Sequence, residues 1–357
     1  MDPLFWKDRR VFITGHTGFK GGWLALWLQS LGAKVTGYAL SPPTEPNLFN
    51  LTHVGRGMQS IIGDIRDLKP LSQAITIADP EVVFHLAAQP LVRESYVNPI
   101  ETYSTNVMGT VNLLEIIRTI DTQVKSCINI TSDKCYENQE WYWGYRENEP
   151  MGGFDPYSNS KGCSELVSAA FRASFFSNVK VNSRSLGLAT ARAGNVIGGG
   201  DWASDRLIPD IIRSIEKKSN VIIRNPNAIR PWQHVLEPLS GYLLLAEKLH
   251  GNPHQFAEAW NFGPSDEDAQ TVGFVTDLFL SYGADSSIKR VESLAEGPHE
   301  ATFLKLDCSK ARAKLGWKPK WKIETALLKT FDWYKAYFSR QDLKKVTLEQ
   351  IHMYQNN

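Results

Sequence analysis

"VFITGHTGFKGGWLALWLQSLG", residues 11–32, decides the fold. Its opening "VFITG" is a short apolar run that suits a buried strand. "GGWLALWLQSLG" (21–32) carries apolar residues at helical spacing and closes on Gly32. Between them "TGHTGFKG" (14–21) sets Gly15, Gly18 and Gly21 in a GxxGxxG spacing. A tight turn alone would use glycines too, but a strand before them and a helix after them make an anion cradle. Glycine lets the backbone approach a diphosphate, and the helix start supplies N–H donors and the positive end of its dipole.

The rest of the first half repeats this alternation. Strands are expected at "KVTGYAL", "MQSIIGDI", "EVVFHLAA" (81–88) and "SCINITS" (126–132), with helices between them such as 103–119. Strands apolar nearly throughout, alternating with helices, imply a parallel sheet covered on both faces. Right-handed crossovers then give an α/β, Rossmann-like doubly wound sheet. The second half is less regular, with "GNVIGGGDW", "RNPNAIRPW", a strand "AWNFG" and a helix ending "ARAKLGW". It reads as a smaller mixed α/β substrate domain, residues 193–357, beside a dinucleotide domain over 1–192 that takes back part of 233–263.

The totals narrow the function. The formal net charge over 357 residues is +1, which disfavours a nucleic-acid footprint or a polybasic membrane surface. No run of 18 apolar residues offers a membrane span. The opening "MDPLFWKDRR" does not read as a signal peptide. The four cysteines show no CxxC spacing, so neither a metal site nor a disulfide framework is expected, and a reducing cytoplasm is the expected setting.

Further along, "GDIRD" offers Asp64 to an adenine amino group, although Asp64 and Asp67 also suit a helix N-cap. "HLAAQ" ends the fourth strand on small residues that let a ligand lie against backbone. The second strand ends in Tyr38, Ala39 and Leu40, with neither the acid that marks NAD nor an arginine for a 2′-phosphate. "DPYSNSKGCSE" sets Tyr157 and Lys161 four apart, on one helix face. A nearby ammonium favours a phenolate, so the Tyr157 pKa is expected to fall.

With "TSDKCYEN", "GNVIGGGDW", "RPWQHV" and "DCSKARAKLGWKP" in place, the chain resembles the extended short-chain dehydrogenase/reductases over nearly its whole length. Among them it is similar to the nucleotide-sugar 4,6-dehydratases. "TSDKCYEN" and "YRENEPMGGFDPYSNSKG" resemble most specifically the branch that acts on CDP-glucose. The resemblance implies NAD, held by Gly15, Thr17, Gly18, Phe19, Lys20, Gly21, Asp64, Ile65, Leu86, Ala87, Ala88, Thr131, Tyr157 and Lys161. It implies a hydro-lyase of deoxysugar biosynthesis, such as supplies lipopolysaccharide O-antigen. A homodimer or dimer of dimers, paired through helices 103–119 and 157–174, is implied as well. Lys20 stands where the family usually has an apolar residue, and either reaches the cofactor phosphates or is solvated.

By the same resemblance Ser132 and Tyr157 handle the C4 hydroxyl, Asp133 is the acid for the C6 hydroxyl and Lys134 the C5 base. Related dehydratases carry glutamate at the position of Lys134. Asp-COOH beside Lys-NH₂ lies roughly 9 kcal/mol above Asp⁻/Lys⁺ in water. Burial narrows that gap and an ion pair between the two widens it. One escape is an extended segment that points Asp133 and Lys134 to opposite sides. In another, Lys134 stays charged and stabilises the C4 enolate.

For the substrate diphosphate, Arg230 can fork two oxygens, or else sit in a buried ion pair. Asn195 matches a family asparagine, Asn261 and His299 are further candidates, and "WYWGYRE" (141–147) is aromatic enough to wall a pocket. The competing readings are a nucleotide-sugar 4-epimerase, which has no need of "SDK", and a non-catalytic NAD-binding protein.

Overall fold

The computed structural model describes residues 1–176, 186–283, 285, 287–293 and 303–357. Its centre is a sheet of seven parallel strands: β1 (Arg10–Thr14), β2 (Lys34–Ala39), β3 (Gln59–Ile62), β4 (Val82–His85), β5 (Ser126–Ile130), β6 (Gly187–Arg192) and β7 (Ala259–Asn261). The order is β7-β6-β5-β4-β1-β2-β3, so it reverses between β1 and β4. Alternating side chains serve the two faces. Val11, Ile13, Val82, Phe84, Ile128, Ile130, Ala189 and Ala191 join one apolar cluster. Phe12, Val83, Cys127 and Leu188 join the other. Strands fed to cores on both sides must be apolar throughout, which is why they read so in the sequence.

The helix expected at 21–32 runs Phe19–Ser30 and is buried from Gly21 to Leu28. Helical spacing suggested one apolar face; the helix is sheathed on several sides instead. The C-terminal helix Leu343–Asn356 covers it, with Trp27 and Tyr354 rings 5.8 Å apart. The helix expected at 103–119 starts earlier, at Pro99, and passes through a π turn at Ser104–Met108 before ending at Thr119. "ARAKLGW" ends not in a long helix but in a π turn, Ala311–Leu315, stopped by Gly316 at φ 69.

The second half returns to the sheet. Helix Leu236–Gly251 packs into the larger apolar cluster and β7 extends the sheet beyond β6. The remaining strands form three short pairs: Val196–Ile197 with Gln233–His234, Ile229–Pro231 with Ala269–Thr271, and Val221–Ile223 with Arg290–Glu292. These pairs wall one side of a cleft of about 1550 Å³ whose other side is the carboxyl end of the sheet. A doubly wound sheet offers its ligand crevice there, where the strand order reverses. Among the described residues, no helix is long and apolar enough to cross a membrane.

Candidate active site

The glycine-rich turn forms the floor at the reversal point. Gly15 has φ 82 and donates its N–H to the Tyr38 carbonyl at 2.9 Å. A Cβ on Gly15 would lie 2.7 Å from the Ala87 nitrogen, and one on Gly21 would lie 2.1 Å from the Gly15 oxygen. Turn, strand end and helix start therefore touch backbone to backbone. Gly18 begins helix Phe19–Ser30 with no side chain capping it, so first-turn N–H groups face the cleft. Phe19, Leu86, Ala87, Ala88 and Ile65 line the same space. This is the shape a dinucleotide diphosphate requires.

Two expected ligands of that space have partners of their own. Thr17 spends its hydroxyl on the Leu40 carbonyl at 2.8 Å. Asp64 grips Arg66 through backbone and guanidinium, and the Arg66 hydrogen bond holds its carboxyl below the usual range. Lys20 is half-buried and lines the cleft. Burial and the Arg206 guanidinium push its ammonium down to about 8, while Asp133 and Asp201 work in the opposite direction.

The catalytic candidates meet at the tip of β5. Ser132 is extended, with φ −158 and ψ 157, and Asp133–Cys135 form a 3₁₀ turn. The extended run expected to separate Asp133 from Lys134 is therefore absent. The turn separates them instead, because at three residues per turn neighbouring side chains diverge by about 120°. No ion pair joins the two among the described residues. The Ser132 hydroxyl accepts from the Lys134 N–H at 3.2 Å and donates to Asp133 Oδ1 at 3.0 Å. Asp133 is buried, and its Oδ2 has no hydrogen-bond partner among the described residues. A Cβ on Gly194 would fall 1.8 Å from that oxygen, so only glycine fits beneath it. Lys134 is half-buried on the cleft wall.

Tyr157 and Lys161 come from helix Pro156–Phe171, which Asp155 caps by accepting from the Ser158 N–H at 2.9 Å. Lys161 donates to the Ile130 carbonyl at 3.3 Å. Burial lowers its ammonium to about 8, opposed by Glu165 one turn further on. Tyr157 departs from expectation. Burial pushes its phenol up to about 12, the Ser132 hydroxyl opposes this, Asp133 adds to it and Arg206 draws it down. Desolvation thus outweighs the neighbouring cations.

At the substrate end Asn195 lines the cleft in the left-handed region, with φ 49, and its carbonyl accepts from Gln233. A non-glycine residue held there marks a constrained site. Arg230 lines the cleft as well, one guanidinium nitrogen donating to the Ile229 carbonyl at 3.0 Å. Asn261 does not reach the cleft. It is fully buried at the end of β7, accepting from the Tyr136 hydroxyl at 2.8 Å and donating to the Tyr145 carbonyl at 2.8 Å. The aromatic run also stands aside: Tyr145 stacks behind Tyr136 at 5.0 Å while Tyr142 and Trp143 are exposed. His299 lies outside the described residues.

Sequence reasoning missed Arg206, which pairs with buried Asp201 at 2.8 Å, and Arg93, which pairs with Asp205 at 3.2 Å. Both arginines line the cleft. Asp201, directly after three glycines, was a usable signal; nothing in the local sequence marked Arg206. An anion cradle at one end, a Tyr–Lys couple and an Asp–Lys turn in the middle with Arg206 beside them, and further arginines on the cleft suit redox and proton transfer on an anionic, two-part ligand.

A family model described as GDP-mannose 4,6 dehydratase matches residues 12–330. The chain belongs to that family. Within the GDP-mannose 4,6 dehydratase family its relatives include a CDP-glucose 4,6-dehydratase of Salmonella typhimurium. The two are 56% identical over 99% of this chain and 98% of the relative. The fold matches a dTDP-glucose 4,6-dehydratase from Bacillus anthracis solved with NAD, at 21% identity and TM-score 0.75 over 94% of this chain and 99% of that one. It matches equally a UDP-glucose 4-epimerase from Thermotoga maritima, at 22% identity and TM-score 0.77 over 92% and 99%. Dehydratase and epimerase thus share the frame, and the frame alone does not divide them.

Proposed function

We propose that this enzyme is a hydro-lyase that converts CDP-glucose to CDP-4-keto-6-deoxyglucose and water. The carrying observation is the near-full-length identity to a CDP-glucose 4,6-dehydratase. That identity coincides with an Asp133–Lys134 turn and a Tyr157–Lys161 couple on one cleft. The glycine cradle that a Cβ at Gly15 or Gly21 would fill fits NAD, with Asp64, Ile65 and Leu86–Ala88 along its length. Gly15, Gly18 and Gly21 would hold NAD, which would supply reversible hydride acceptance, so that the reaction would be redox-neutral and consume no reductant.

The chain's own residues then move protons. Tyr157, whose phenol burial pushes up while the Ser132 hydroxyl and Arg206 draw it back down, takes the C4 hydroxyl proton, and Ser132 holds the same oxygen. The ketone formed at C4 acidifies C5. Lys134 removes the C5 proton and Asp133 delivers one to the departing C6 hydroxyl; once the hydride reaches C6, Lys134 returns a proton to C5. Asp133 is suited to this because Oδ1 is fixed by Ser132 while Oδ2 has no hydrogen-bond partner among the described residues. Asn195, Arg206 and Arg230 face the diphosphate, where forked guanidinium donors match its oxygens. This assigns the enzyme to deoxysugar biosynthesis in the cytoplasm, of the kind that feeds O-antigen. Val97, Ile100, Met108 and Leu166 are all at least half exposed along helices 92–119 and 156–171, and we assign that strip to pairing with a second copy.

The test is product mass. Purified protein with NAD and CDP-glucose should yield a product lighter by one water with no reductant added, and dTDP-, GDP- and UDP-glucose should not. A new isomer of unchanged mass would favour the epimerase reading.

A further inference from the structure

One ion pair sits behind the active site and touches both ends of the catalytic turn. Glu165 and Arg192 are each 4% exposed and pair at 2.8 Å. Glu165 lies one helical turn beyond Lys161 and accepts from the hydroxyls of Thr131 and, at 2.7 Å, Thr190. Arg192, at the end of β6, donates at 2.6 Å to the Tyr136 hydroxyl, and its guanidinium lies 4.8 Å from the Tyr136 ring centre. The Tyr136 hydroxyl in turn donates to Asn261 Oδ1. Thr131 immediately precedes Ser132-Asp133-Lys134, and Tyr136 follows one residue after that segment.

We propose that the Glu165–Arg192 pair, acting through Thr131 and Tyr136, is the positioning device that aims Asp133 and Lys134 at the sugar. The inference rests on the dehydratase reading above. None of these four side chains needs to touch the reacting sugar carbons. Asp133 and Lys134 cannot take their direction from a three-residue 3₁₀ turn alone, since so short a turn has little hydrogen bonding of its own. Clamping both flanks to one buried pair supplies the missing constraint. The pair is well suited to this. Burial disfavours the Arg192 charge, but Glu165 beside it more than offsets this. Burial likewise disfavours the Glu165 charge, and Arg192, Thr131 and Thr190 together hold it ionised. Both charges persist through the neutral range, so the clamp does not loosen with pH there. Tyr157 lies about two turns ahead of Glu165 on the same helix, at the end that the Asp155 cap fixes without using the pair. The clamp should therefore govern the elimination at C5 and C6 more than the oxidation at C4.

Tyr136→Phe deletes one oxygen and leaves the main-chain bridge between Tyr136 and Met151 in place. Arg192→Lys keeps the charge and removes the fork. Each variant is given CDP-glucose deuterated at C5. Oxidation at C4 is followed by reduced-nicotinamide absorbance, and elimination by loss of deuterium from C5. Both variants should slow deuterium loss by about tenfold to a hundredfold, as a small misplacement of catalytic groups does. C4 oxidation and KM should stay within about twofold of wild type. Equal slowing of both steps, or no slowing of either, would overturn the proposal. If Arg192→Lys does not fold, Tyr136→Phe alone decides, with an unchanged melting temperature as its check on folding. Wild type that expels no water from CDP-glucose would overturn the dehydratase reading and this inference together. Wild type that expels water beside variants of unchanged step ratio would overturn only the inference.

Discussion

Two proposed acid–base couples meet at the tip of β5, and they are held in opposite ways. Tyr157 and Lys161 ride on a capped sixteen-residue helix, one turn apart, so their spacing follows from helix geometry alone. Asp133 and Lys134 ride on a three-residue 3₁₀ turn. Their direction depends on groups brought from β6, β7 and helix Pro156–Phe171. The lesson is that a regular element positions chemistry by its own hydrogen bonds, whereas a turn borrows its precision from the packing behind it.

The largest effect should come from the helix. Tyr157→Phe removes the group proposed to take the C4 proton, so turnover should fall by roughly 10²–10⁴. Because oxidation at C4 comes first, no reduced-nicotinamide absorbance should build up, and rapid mixing would show this. Appearance of that absorbance at the wild-type rate would move the proton acceptor elsewhere.

A smaller effect tests the other half of the helix couple. The folded Lys161 ammonium sits near 8 against an ordinary 10.5. Above pH 10.5 neither folded nor unfolded chain carries this proton. Between about 8 and 10.5 the unfolded chain binds more protons, so stability rises with pH through that window. Below about 8 both states are charged and the folded state bears the full burial penalty. In cofactor-free protein, Lys161→Met should melt higher than wild type at neutral pH, by up to about 3 kcal/mol in stability, and the gap should close as pH rises toward 10.5. A gap that stays constant with pH would contradict a burial origin for the shift.

The contrast between helix and turn also explains what the sequence could reveal. The strand-turn-helix at 11–32, the apolar strands and the Tyr157–Lys161 spacing are local patterns, and local patterns fix local geometry. What stayed hidden depends on partners far along the chain. Asn261 reads as a polar residue at a strand end, a typical ligand position. Its amide is taken up by Tyr136, 125 residues away, and by the Tyr145 carbonyl. Arg192 and Tyr136 are 56 residues apart and meet only because β6 lies beside β5. Tyr157 was expected to be drawn down by its lysine, and no spacing rule reports how dry its surroundings are. Glu165 was partly within reach, since it continues the helical spacing from Tyr157 and Lys161.

On the proposed reading, the helix couple serves oxidation at C4 and the turn couple serves the loss of water. Lys134→Met, given CDP-glucose deuterated at C5, tests it most directly. C4 should be oxidised at close to the wild-type rate, deuterium should stay on C5, and no water should be lost. Deuterium loss from C5 at the wild-type rate would contradict the claim and transfer the base to another side chain.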